Sequence, residues 1–315
     1  MPSISICIPT FNRADFLTQA IASIQAQTYH DWELWVCDDG STDETPQVMA
    51  RYQDDRIRYL RHEHHIGKSN NMRSGYEVAT GDYFLKLDDD DRLTPHFLLK
   101  TSEILTHAPE IDFVSTDHWV IDAHNQQQVE LTEHNSHKWG RSQLPAGRIA
   151  DLLTTVFVQQ SLQIGATLFR LSCLRELDFM RRDWQNCEDN DLFVRLALAR
   201  KQAYYLPDRL MEYRFHAEQQ GIDRAIPYLR GKLQYLQAYQ FLDASLEQVR
   251  RSRFAETQLL LGLRLVEAGE TTEGRHLLQA GHHFSPRKAI VGQAFSYLPQ
   301  TIRKPVFAAV RSIVR

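Results

Sequence analysis

The chain has 315 residues, 43% of them hydrophobic and 24% charged, and a formal net charge of −4. This composition is ordinary for a globular protein, and the slight excess of acids gives no reason to expect nucleic acid or another polyanion as a partner. A length above the ~100–200 residues of one domain predicts a large domain with an appendage.

The cellular location is predicted from three features. No run approaches the ~20 apolar residues that a membrane-spanning helix needs. The first residues, Met1–Pro9, lack the basic start of a signal peptide. The four cysteines form no CxxC pair, which favours buried thiols in a reducing compartment. We therefore expect a cytoplasmic protein without disulfide bonds.

Strands and helices alternate through the first half of the chain. Apolar runs predict strands at Ser3–Ile8, Trp32–Cys37, Ile57–Leu60, Tyr83–Leu87 and Phe113–Thr116, and helical spacing predicts helices at Ala14–Gln27, Ser41–Arg51, Gly67–Ala79 and Pro95–His107. Strands that alternate with helices of this length predict βαβ units and a mostly parallel sheet flanked by helices. In open sheets of this kind, ligands bind beyond the carboxyl ends of the strands.

The second half is less regular. Residues 122–147 are polar and predict a long loop. They are followed by a predicted helix at Ile149–Val158, a strand at Ala166–Arg170, a helix at Glu188–Ala199, and short strands at Ala203–Leu206 and Leu210–Phe215. From Pro227 onward the pattern is helical, and Leu259–Ala268 with Gly274–Ala280 predicts a helical hairpin.

Four consecutive carboxylates, Asp88–Asp91, follow the fourth predicted strand. Adjacent carboxylates repel one another and are costly to desolvate without a counter-charge, which a divalent cation can supply. Asp88 and Asp90 face the same way in an extended chain, so they are candidate oxygen ligands for Mg²⁺ or Mn²⁺. A solvated acidic turn is the alternative.

Two further acidic groups follow predicted strands or begin helices. Asp38 and Asp39 come after the second strand, where a carboxylate can accept a hydrogen bond from a nucleotide base or a ribose hydroxyl. A plain turn with a helix cap is the alternative. Glu188 and Asp189 begin a helix, where acids are favoured by the helix dipole. The functional interpretation makes one of them a general base for an acceptor hydroxyl.

The segment Tyr213–His216 ends the predicted sheet. In a strand, Arg214 and His216 share one face. A cation and an imidazole pointing together toward an acidic pocket suit a diphosphate, with Arg214 on phosphate and His216 on the metal ion.

In chain order, these segments resemble the family 2 glycosyltransferases with the GT-A fold. The resemblance covers residues 3–216 and rests on the segments Ile8-Pro9-Thr10-Phe11-Asn12-Arg13, Asp38-Asp39-Gly40-Ser41-Thr42-Asp43, Ala79-Thr80-Gly81-Asp82-Tyr83, Asp88–Asp91, Glu188-Asp189 and Tyr213-Arg214 with His216. Each segment is weak evidence by itself, whereas all of them in this order form a specific signal.

The resemblance implies a role for each matching residue. The nucleotide pocket would be lined by Pro9, Thr10, Asn12 and Arg13, and Asp39 would contact a uracil-like base with Asp38 in support. Asp88 would hold the ribose or sugar side of the donor, and Asp90 would bind the metal ion with Asp91 in support. Asp189 would be the general base, with Glu188 beside it. The reaction would invert the anomeric centre in one displacement. Two departures from the family pattern add Lys68, as a candidate phosphate or base contact, and Asp89, which stands in the donor site where a small residue is common.

The resemblance also implies a domain organisation. Residues 1–225 would form the GT-A catalytic domain, with a nucleotide-binding half to about residue 120 and an acceptor-side half at 121–225. Residues 226–315 would form a helical extension. The predicted partners are a nucleotide sugar, with a UDP-sugar favoured, and a glycan, lipid-linked or other hydroxyl acceptor. The acceptor preference would depend on residues 122–165.

Other classes of protein were weighed against this one. A sugar-phosphate nucleotidyltransferase needs a glycine-rich loop after the first strand, and Pro9–Arg13 contains no glycine. A dinucleotide-binding enzyme is disfavoured because GxGxxG is missing there, and a P-loop enzyme because GxxxxGK[ST] is missing. A non-catalytic module that binds nucleotide sugars or glycans stays open.

The C-terminal segment is basic. No Asp or Glu follows Glu273, and the last stretch, Pro305–Arg315, is short, apolar and basic. Such a segment suits peripheral contact with an anionic membrane. Packing against the chain's own domain is the alternative, and a homodimer through the C-terminal helices also stays open.

Overall fold

The structure is a computed structural model that describes residues 3–182, 184, 186–215, 222–303, 305 and 307. The chain divides into two compact units. The first comprises residues 1–184 and 188–216, and the second comprises residues 185–187 and 217–315. The first helix described in the second unit begins at Ile222, so the division predicted at residue 225 falls within that helix.

Nine strands of the first unit form one sheet. They are β1 (Ile4–Thr10), β2 (Trp32–Asp38), β3 (Ile57–Arg61), β4 (Tyr83–Lys86), β5 (Arg92–Leu93), β6 (Phe113–Ile121), β7 (Gly147–Arg148), β8 (Thr167–Arg170) and β9 (Ala203–Arg214). Their spatial order is β3-β2-β1-β4-β8-β6-β9-β5, and β7 pairs with β9.

The half of the sheet that begins the chain is parallel. β1 pairs in parallel with β2 and β4, and β2 pairs in parallel with β3. The carboxyl ends of these strands therefore meet at one edge of the sheet, where Thr10 ends β1, Asp38 ends β2 and Lys86 ends β4. β8 and the short strands β5 and β7 run antiparallel to their neighbours, while β6 and β9 are parallel.

In the described part of the first unit, seven α-helices accompany this sheet. They are α1 (Ala14–Gln25), α2 (Thr45–Met49), α3 (Lys68–Val78), α4 (Phe97–His107), α5 (Val129–Lys138), α6 (Leu171–Glu176) and α7 (Glu188–Leu198). The apolar face of α1 packs with the buried side chains of β1, β2 and β4 in one core. On the other side, α3 approaches β1 closely, because a Cβ atom at Gly75 would lie 2.2 Å from Sγ of Cys7. All four cysteines are buried, and no disulfide bond joins them.

The structure differs from several of the sequence-based expectations. The predicted loop at 122–147 contains helix α5, and the helix predicted at Ile149–Val158 is instead a π-helical turn at Thr154–Gln159. The two short strands predicted after residue 203 are one continuous strand, β9. The helix predicted from Ser41 is the short α2.

The described part of the second unit is helical. It contains α8 (Ile222–Gln237), α9 (Ala244–Ala268), α10 (Thr271–Ala280) and α11 (Pro286–Ser296). Helices α9 and α10 form the predicted hairpin, which turns at Gly269 in the left-handed region (φ 110°), a conformation that glycine adopts at little cost. One hydrophobic core of the second unit consists of Leu259, Val266, Leu278, Ala289 and Phe307.

Candidate active site

The acidic loop, Asp88–Asp91, begins two residues beyond the end of β4, and basic or hydroxyl groups hold its first three carboxylates. Nζ of Lys86 lies 2.7 Å from Oδ2 of Asp88. Asp89 accepts a hydrogen bond of 2.7 Å from Oγ1 of Thr10, and Asp90 accepts one of 2.7 Å from Arg13. The protein's own basic groups, Lys86 and Arg13, therefore offset part of the repulsion among the carboxylates of the acidic loop.

Asp91 is held from the opposite side of the loop by β9. The backbone N–H of Arg214 donates a 2.9 Å hydrogen bond to Oδ1 of Asp91. The guanidinium of Arg214 donates to the carbonyl oxygens of Asp90 (2.7 Å) and Asp122 (3.0 Å) and to Oε1 of Gln19 (3.2 Å). Arg214 is fully buried, so in this structure it positions the acidic loop. Its predicted contact with phosphate stays a prediction.

Helix α7 brings a second pair of carboxylates to the same group of charges. Glu188 is buried and lies 3.2 Å from Nζ of Lys68, at the first residue of α3. Asp189 follows at the next position and interacts electrostatically with Lys86, Lys68 and Asp88. Two lysines from β4 and α3 thus stand near carboxylates that are 101 positions apart in the sequence, Asp88 and Asp189.

The environment sets different pKa values for these acids. Burial alone would raise the pKa of Asp88, but the ammonium groups of Lys86 and Lys68 outweigh it and hold that pKa well below its usual range. Burial raises the pKa of Asp189 to about 6. Repulsion from Glu188 adds to this shift, and the two lysines limit it. One carboxylate therefore stays charged at neutral pH while the other titrates near it.

The middle of the acidic loop is also perturbed. Burial raises the pKa of Asp89 to about 7, with repulsion from Asp90 adding to the shift and Arg13 and Thr10 opposing it. Burial and repulsion from Asp90 and Asp88 raise the pKa of Asp91 well above its usual range. These shifts record an excess of negative charge in a loop with limited access to water.

The loops beyond β1 and β2 are ordered by their own polar side chains. Asn12 adopts the left-handed region (φ 53°), which asparagine tolerates better than most residues, and its Oδ1 accepts from the N–H of Thr42 at 2.7 Å. Asp39 is buried and accepts from the backbone N–H groups of Ile66 (2.6 Å) and Gly67 (3.1 Å). These two residues order the loops at this edge of the sheet, and direct contact with a nucleotide stays a prediction for both.

Asp38 is fully buried at the end of β2. It accepts hydrogen bonds from the hydroxyl of Tyr59 and from the N–H of Ser41 (2.8 Å). Its predicted role in support of Asp39 stays a prediction. Pro9 lies in β1 opposite Cys37 of β2, one residue before the end of the strand.

The acidic loop fits one kind of metal site. Among the described residues, no three His, Cys, Asp or Glu side chains form a metal-binding group by themselves. Mg²⁺, however, is commonly held by one or two carboxylates, with substrate phosphates and water completing its coordination. The loop offers carboxylate oxygens of this type, and Oδ2 of Asp91 is buried without a hydrogen-bond partner in the described part of the chain. The predicted ligands Asp88 and Asp90 belong to this loop, and His216 lies outside the described residues.

Several residues of the site escaped the sequence analysis. Lys86 ends an apolar strand and is fully buried, so nothing in the local pattern marks it as a partner for Asp88. Asp191, two residues after Asp189, accepts from Arg181 (3.1 Å) and Arg195 (2.7 Å) and fixes the start of α7. The alternation of charges along 188–195 was the available signal for the pair Asp191–Arg195, which are four residues apart on one helix face.

The first half of the chain matches a known protein family. Residues 5–157 match the model of the family described as "Glycosyl transferase family 2". This match includes β1, β2, β4 and the acidic loop, and it ends before α7.

Two characterised relatives are similar over part of the chain. A "GalNAc(5)-diNAcBac-PP-undecaprenol beta-1,3-glucosyltransferase" of Campylobacter jejuni is 44% identical over 96 residues, which are 30% of this chain and 31% of that protein. A "UDP-Glc:alpha-D-GlcNAc-diphosphoundecaprenol beta-1,3-glucosyltransferase" of Escherichia coli is 35% identical over 88 residues, 28% of this chain and 35% of that protein. The matches thus span about a third of each relative's length.

Two solved structures are similar over nearly the whole chain. S. aureus TarS 1–349 in complex with UDP-GlcNAc has a TM-score of 0.63 at 15% identity, covering 98% of this chain and 92% of that one. The mannosyltransferase PcManGT of Pyrobaculum calidifontis in complex with GDP-Man and Mn²⁺ has a TM-score of 0.60 at 16% identity, covering 97% and 86%. At these identities the likeness shows a shared fold, and it confirms the predicted GT-A architecture.

Proposed function

We propose that the chain is a member of glycosyl transferase family 2, whose model matches residues 5–157, and that it transfers a sugar from a nucleotide-diphosphate sugar to a hydroxyl group of a lipid-linked glycan. The observation that carries the proposal is the cluster of charges at the carboxyl edge of the sheet. There Lys86 and Lys68 stand near both the acidic loop and the start of α7. On this proposal, these charged residues from separate parts of the sequence would form the donor site and supply the catalytic carboxylate.

The donor in this proposal is a UDP-sugar. One characterised relative is named for UDP-Glc, and a solved structure of the same fold holds UDP-GlcNAc. Within the chain, Thr10, Asn12, Arg13 and Asp39 border the predicted nucleotide pocket, and Lys68 is half-exposed at the start of α3, where a cation can meet a diphosphate. An acidic pocket without such a cation would repel this anionic donor.

The lipid-linked acceptor is proposed from the relatives. Both are named for substrates joined to undecaprenol through a diphosphate. The described helices of this chain include none that is both long enough and apolar enough to cross a membrane. On this proposal the protein meets its acceptor from the water side of a membrane.

Asp189 is the proposed general base. Its carboxylate takes the proton of the acceptor hydroxyl as the acceptor oxygen forms a bond to the anomeric carbon. The bond from that carbon to the diphosphate oxygen breaks at the same time, and its electron pair leaves with the nucleoside diphosphate. One displacement of this kind inverts the anomeric centre and needs no covalent enzyme intermediate. Burial of Asp189 favours the transfer, because it raises the pKa of the base toward neutrality.

The leaving group develops negative charge that cations must stabilise. Lys68 is the proposed protein cation, and its present partner Glu188 would share it with the diphosphate. A bound Mn²⁺ or Mg²⁺, held by Asp88 and Asp90, would supply electrostatic stabilisation of the same charge. Arg214 and Thr10 keep the acidic loop in place during the reaction.

Two variants and a control test the proposal. Asp189→Asn should bind UDP as the wild type does and lose transfer by about 10²–10⁴-fold, because general-base catalysis contributes about that much. Asp90→Ala should lose the metal-dependent part of UDP binding. The control is Asp82→Asn, the same Asp-to-Asn change at the end of β4 that is opposite the acidic loop. It should leave sugar transfer and UDP binding unchanged.

The measurements are UDP release with a lipid-linked acceptor, and UDP binding by calorimetry with Mn²⁺ present and absent. Transfer by Asp189→Asn at the wild-type rate would remove the base assignment. Donor binding without turnover by the wild-type protein, across a panel of UDP-sugars and acceptors, would favour a binding module instead.

A further inference from the structure

Helix α11 buries one side and exposes apolar side chains on another. Ala289, Gly292 and Ser296 form its buried side, at the spacing of one helix face. They pack in the helical unit, where a Cβ atom at Gly292 would lie 2.7 Å from Leu263 and 2.9 Å from Leu278. A surface helix packed in this way ordinarily presents polar residues on its outer side.

The outer side of α11 is instead apolar over most of its length. Ile290 is 59% exposed, Val291 is 44% exposed and Tyr297, directly after the helix, is 77% exposed. Ala294 is exposed between them. Residues 290, 294 and 297 recur at helical spacing, so their side chains form one continuous strip and not a scatter of single residues. We call this strip, with Arg287 and Lys288 at its beginning, the α11 face.

Basic groups border the α11 face. Arg287 and Lys288 are exposed in the first turn of the helix. The guanidinium of Arg275, from α10, lies over the ring of Tyr297 at 5.1 Å from its centroid. The sequence from 274 to 315 contains seven Lys or Arg residues and no Asp or Glu, although the whole chain has a net charge of −4. In the described part of the chain, Arg275, Arg287 and Lys288 are the basic residues that border the apolar strip.

We propose that the α11 face docks onto the surface of an anionic lipid membrane. An exposed apolar strip framed by Lys and Arg is the chemistry of helices that lie in a membrane interface, with apolar side chains among the acyl chains and basic ones near the anionic headgroups. Tyr297 has the amphipathic ring that is enriched at this depth. The basic border and the apolar strip therefore favour the same occupant.

A second copy of the chain is a poorer occupant for the same face. A twofold dimer would place this face against itself. Arg275, Arg287 and Lys288 of one copy would then approach the same residues of the other, and the sequence from 274 onward offers no acid to pair with them. Like charges brought together away from water oppose association.

The docking proposal is independent of catalysis, since adsorption to a bilayer requires neither donor nor acceptor. The role of docking in bringing the protein to its acceptor, by contrast, rests on the proposed function. A protein adsorbed at the α11 face would share a surface with acceptors that carry a lipid anchor.

The test is sedimentation of the full-length protein with vesicles of phosphatidylcholine alone or with 30% phosphatidylglycerol. We expect binding to the anionic vesicles and little to the neutral ones, with binding weakened by salt. The double variant Arg287→Glu/Lys288→Glu should bind at least tenfold more weakly, because each basic residue near an anionic surface contributes about fivefold. Ile290→Asp should also weaken binding at least tenfold, since it removes an apolar side chain from the interface.

Matched controls carry the same changes on the first unit. Arg51→Glu/Lys138→Glu alters two exposed basic residues and gives the same net charge as the double variant. Val129→Asp alters an apolar residue that is 57% exposed. Both controls should keep wild-type binding, and melting curves should show that all four variants are folded. Equal vesicle binding by the α11 variants and their controls would overturn the proposal. So would a wild-type dimer in ultracentrifugation that Ile290→Asp dissociates while vesicle binding is unchanged.

Discussion

Asp189 is a carboxylate between charges of both signs, and this fixes the pH range in which it can act. Its pKa is raised to about 6, chiefly by burial, with Glu188 adding repulsion and Lys86 and Lys68 limiting the shift. Below this pH the group is protonated and cannot accept a proton from the acceptor. The value of kcat/KM should therefore fall tenfold per pH unit below about 6.

The pH profile is measured between pH 4.5 and 9 with saturating Mn²⁺. A protein that keeps full activity down to pH 4.5 would contradict this prediction, because it would contain a base with an ordinary carboxylate pKa. The profile of Asp82→Asn, an exposed carboxylate outside the site, should coincide with that of the wild type.

Arg214 allows a structural role to be separated from a catalytic one. Arg214→Lys keeps the positive charge but cannot reproduce the forked contacts with the carbonyl oxygens of Asp90 and Asp122. We expect the free energy of unfolding to fall by about 2–4 kcal/mol, since buried hydrogen bonds to a charged group are lost. Thermal and denaturant unfolding measure the change. Arg92→Lys, at a partly exposed ion pair with Glu212, should cost less than ~1 kcal/mol. An unchanged stability together with a raised KM for the donor would assign Arg214 to phosphate instead.

Sequence reasoning was strongest for residues whose neighbours in the chain explain them. Asp88 and Asp90 were identified because four adjacent acids need a counter-charge. The sequence could not reveal that Lys86, Arg13 and Arg214 provide part of it. The partners of Arg214 include two backbone carbonyl oxygens, and every residue has such an oxygen, so no side-chain pattern could identify them.

At the scale of elements, hydrophobic periodicity identified the helices that pack by apolar contacts. It predicted α3 and α7 to within a residue or two. It failed for α5, whose buried residues are Thr132 and Ser136. The hydroxyl of Ser136 donates to Asp117 of β6 at 2.7 Å. A helix anchored by hydrogen bonds in this way leaves no apolar stripe in its sequence.

β9 shows a second limit of local patterns. Pro207 and Asp208 interrupt its apolar residues and predict a break between two strands. The strand nevertheless continues, because its pairing with β6 shifts register on either side of Asp117, which leaves the proline outside the regular ladder. A bulge of this kind depends on the partner strand, so the sequence of β9 alone does not predict it.

The contact between α3 and β1 gives a prediction at this scale. Gly75→Ala places a methyl group 2.2 Å from Sγ of Cys7, and the helix must move away from the sheet. We expect a loss of about 1–3 kcal/mol in the free energy of unfolding, the usual cost of overpacking a core. Thermal unfolding measures it. The double variant Cys7→Ala/Gly75→Ala should recover part of the loss, and a double variant that sums the two single effects would contradict this account of the contact.

At the scale of the whole molecule, the two units have separate cores, and all the described residues of the candidate site belong to the first. Leu278 is fully buried in the core of the helical unit. Leu278→Ala should lower the free energy of unfolding by about 2–5 kcal/mol through the cavity it leaves. The affinity of the folded protein for UDP should stay unchanged, which calorimetry below the melting transition measures. A weakened affinity would mean that the helical unit helps to order the nucleotide pocket.

The acidic loop is fastened on both flanks. β4 precedes the loop, and β5, which follows it, pairs with β9. The geometry of the loop therefore depends on backbone hydrogen bonds within the sheet. Residues 122–165 lie between β6 and β8, and Ser136 and β7 anchor them to Asp117 and to β9. We expect the stretches between these anchors to tolerate changes in length while β5 and β9 stay paired. A related protein that keeps the acidic loop but differs in residues 122–165 would retain the chemistry and modify a different acceptor. We therefore expect residues 122–165 to diverge among related proteins more than the acidic loop does.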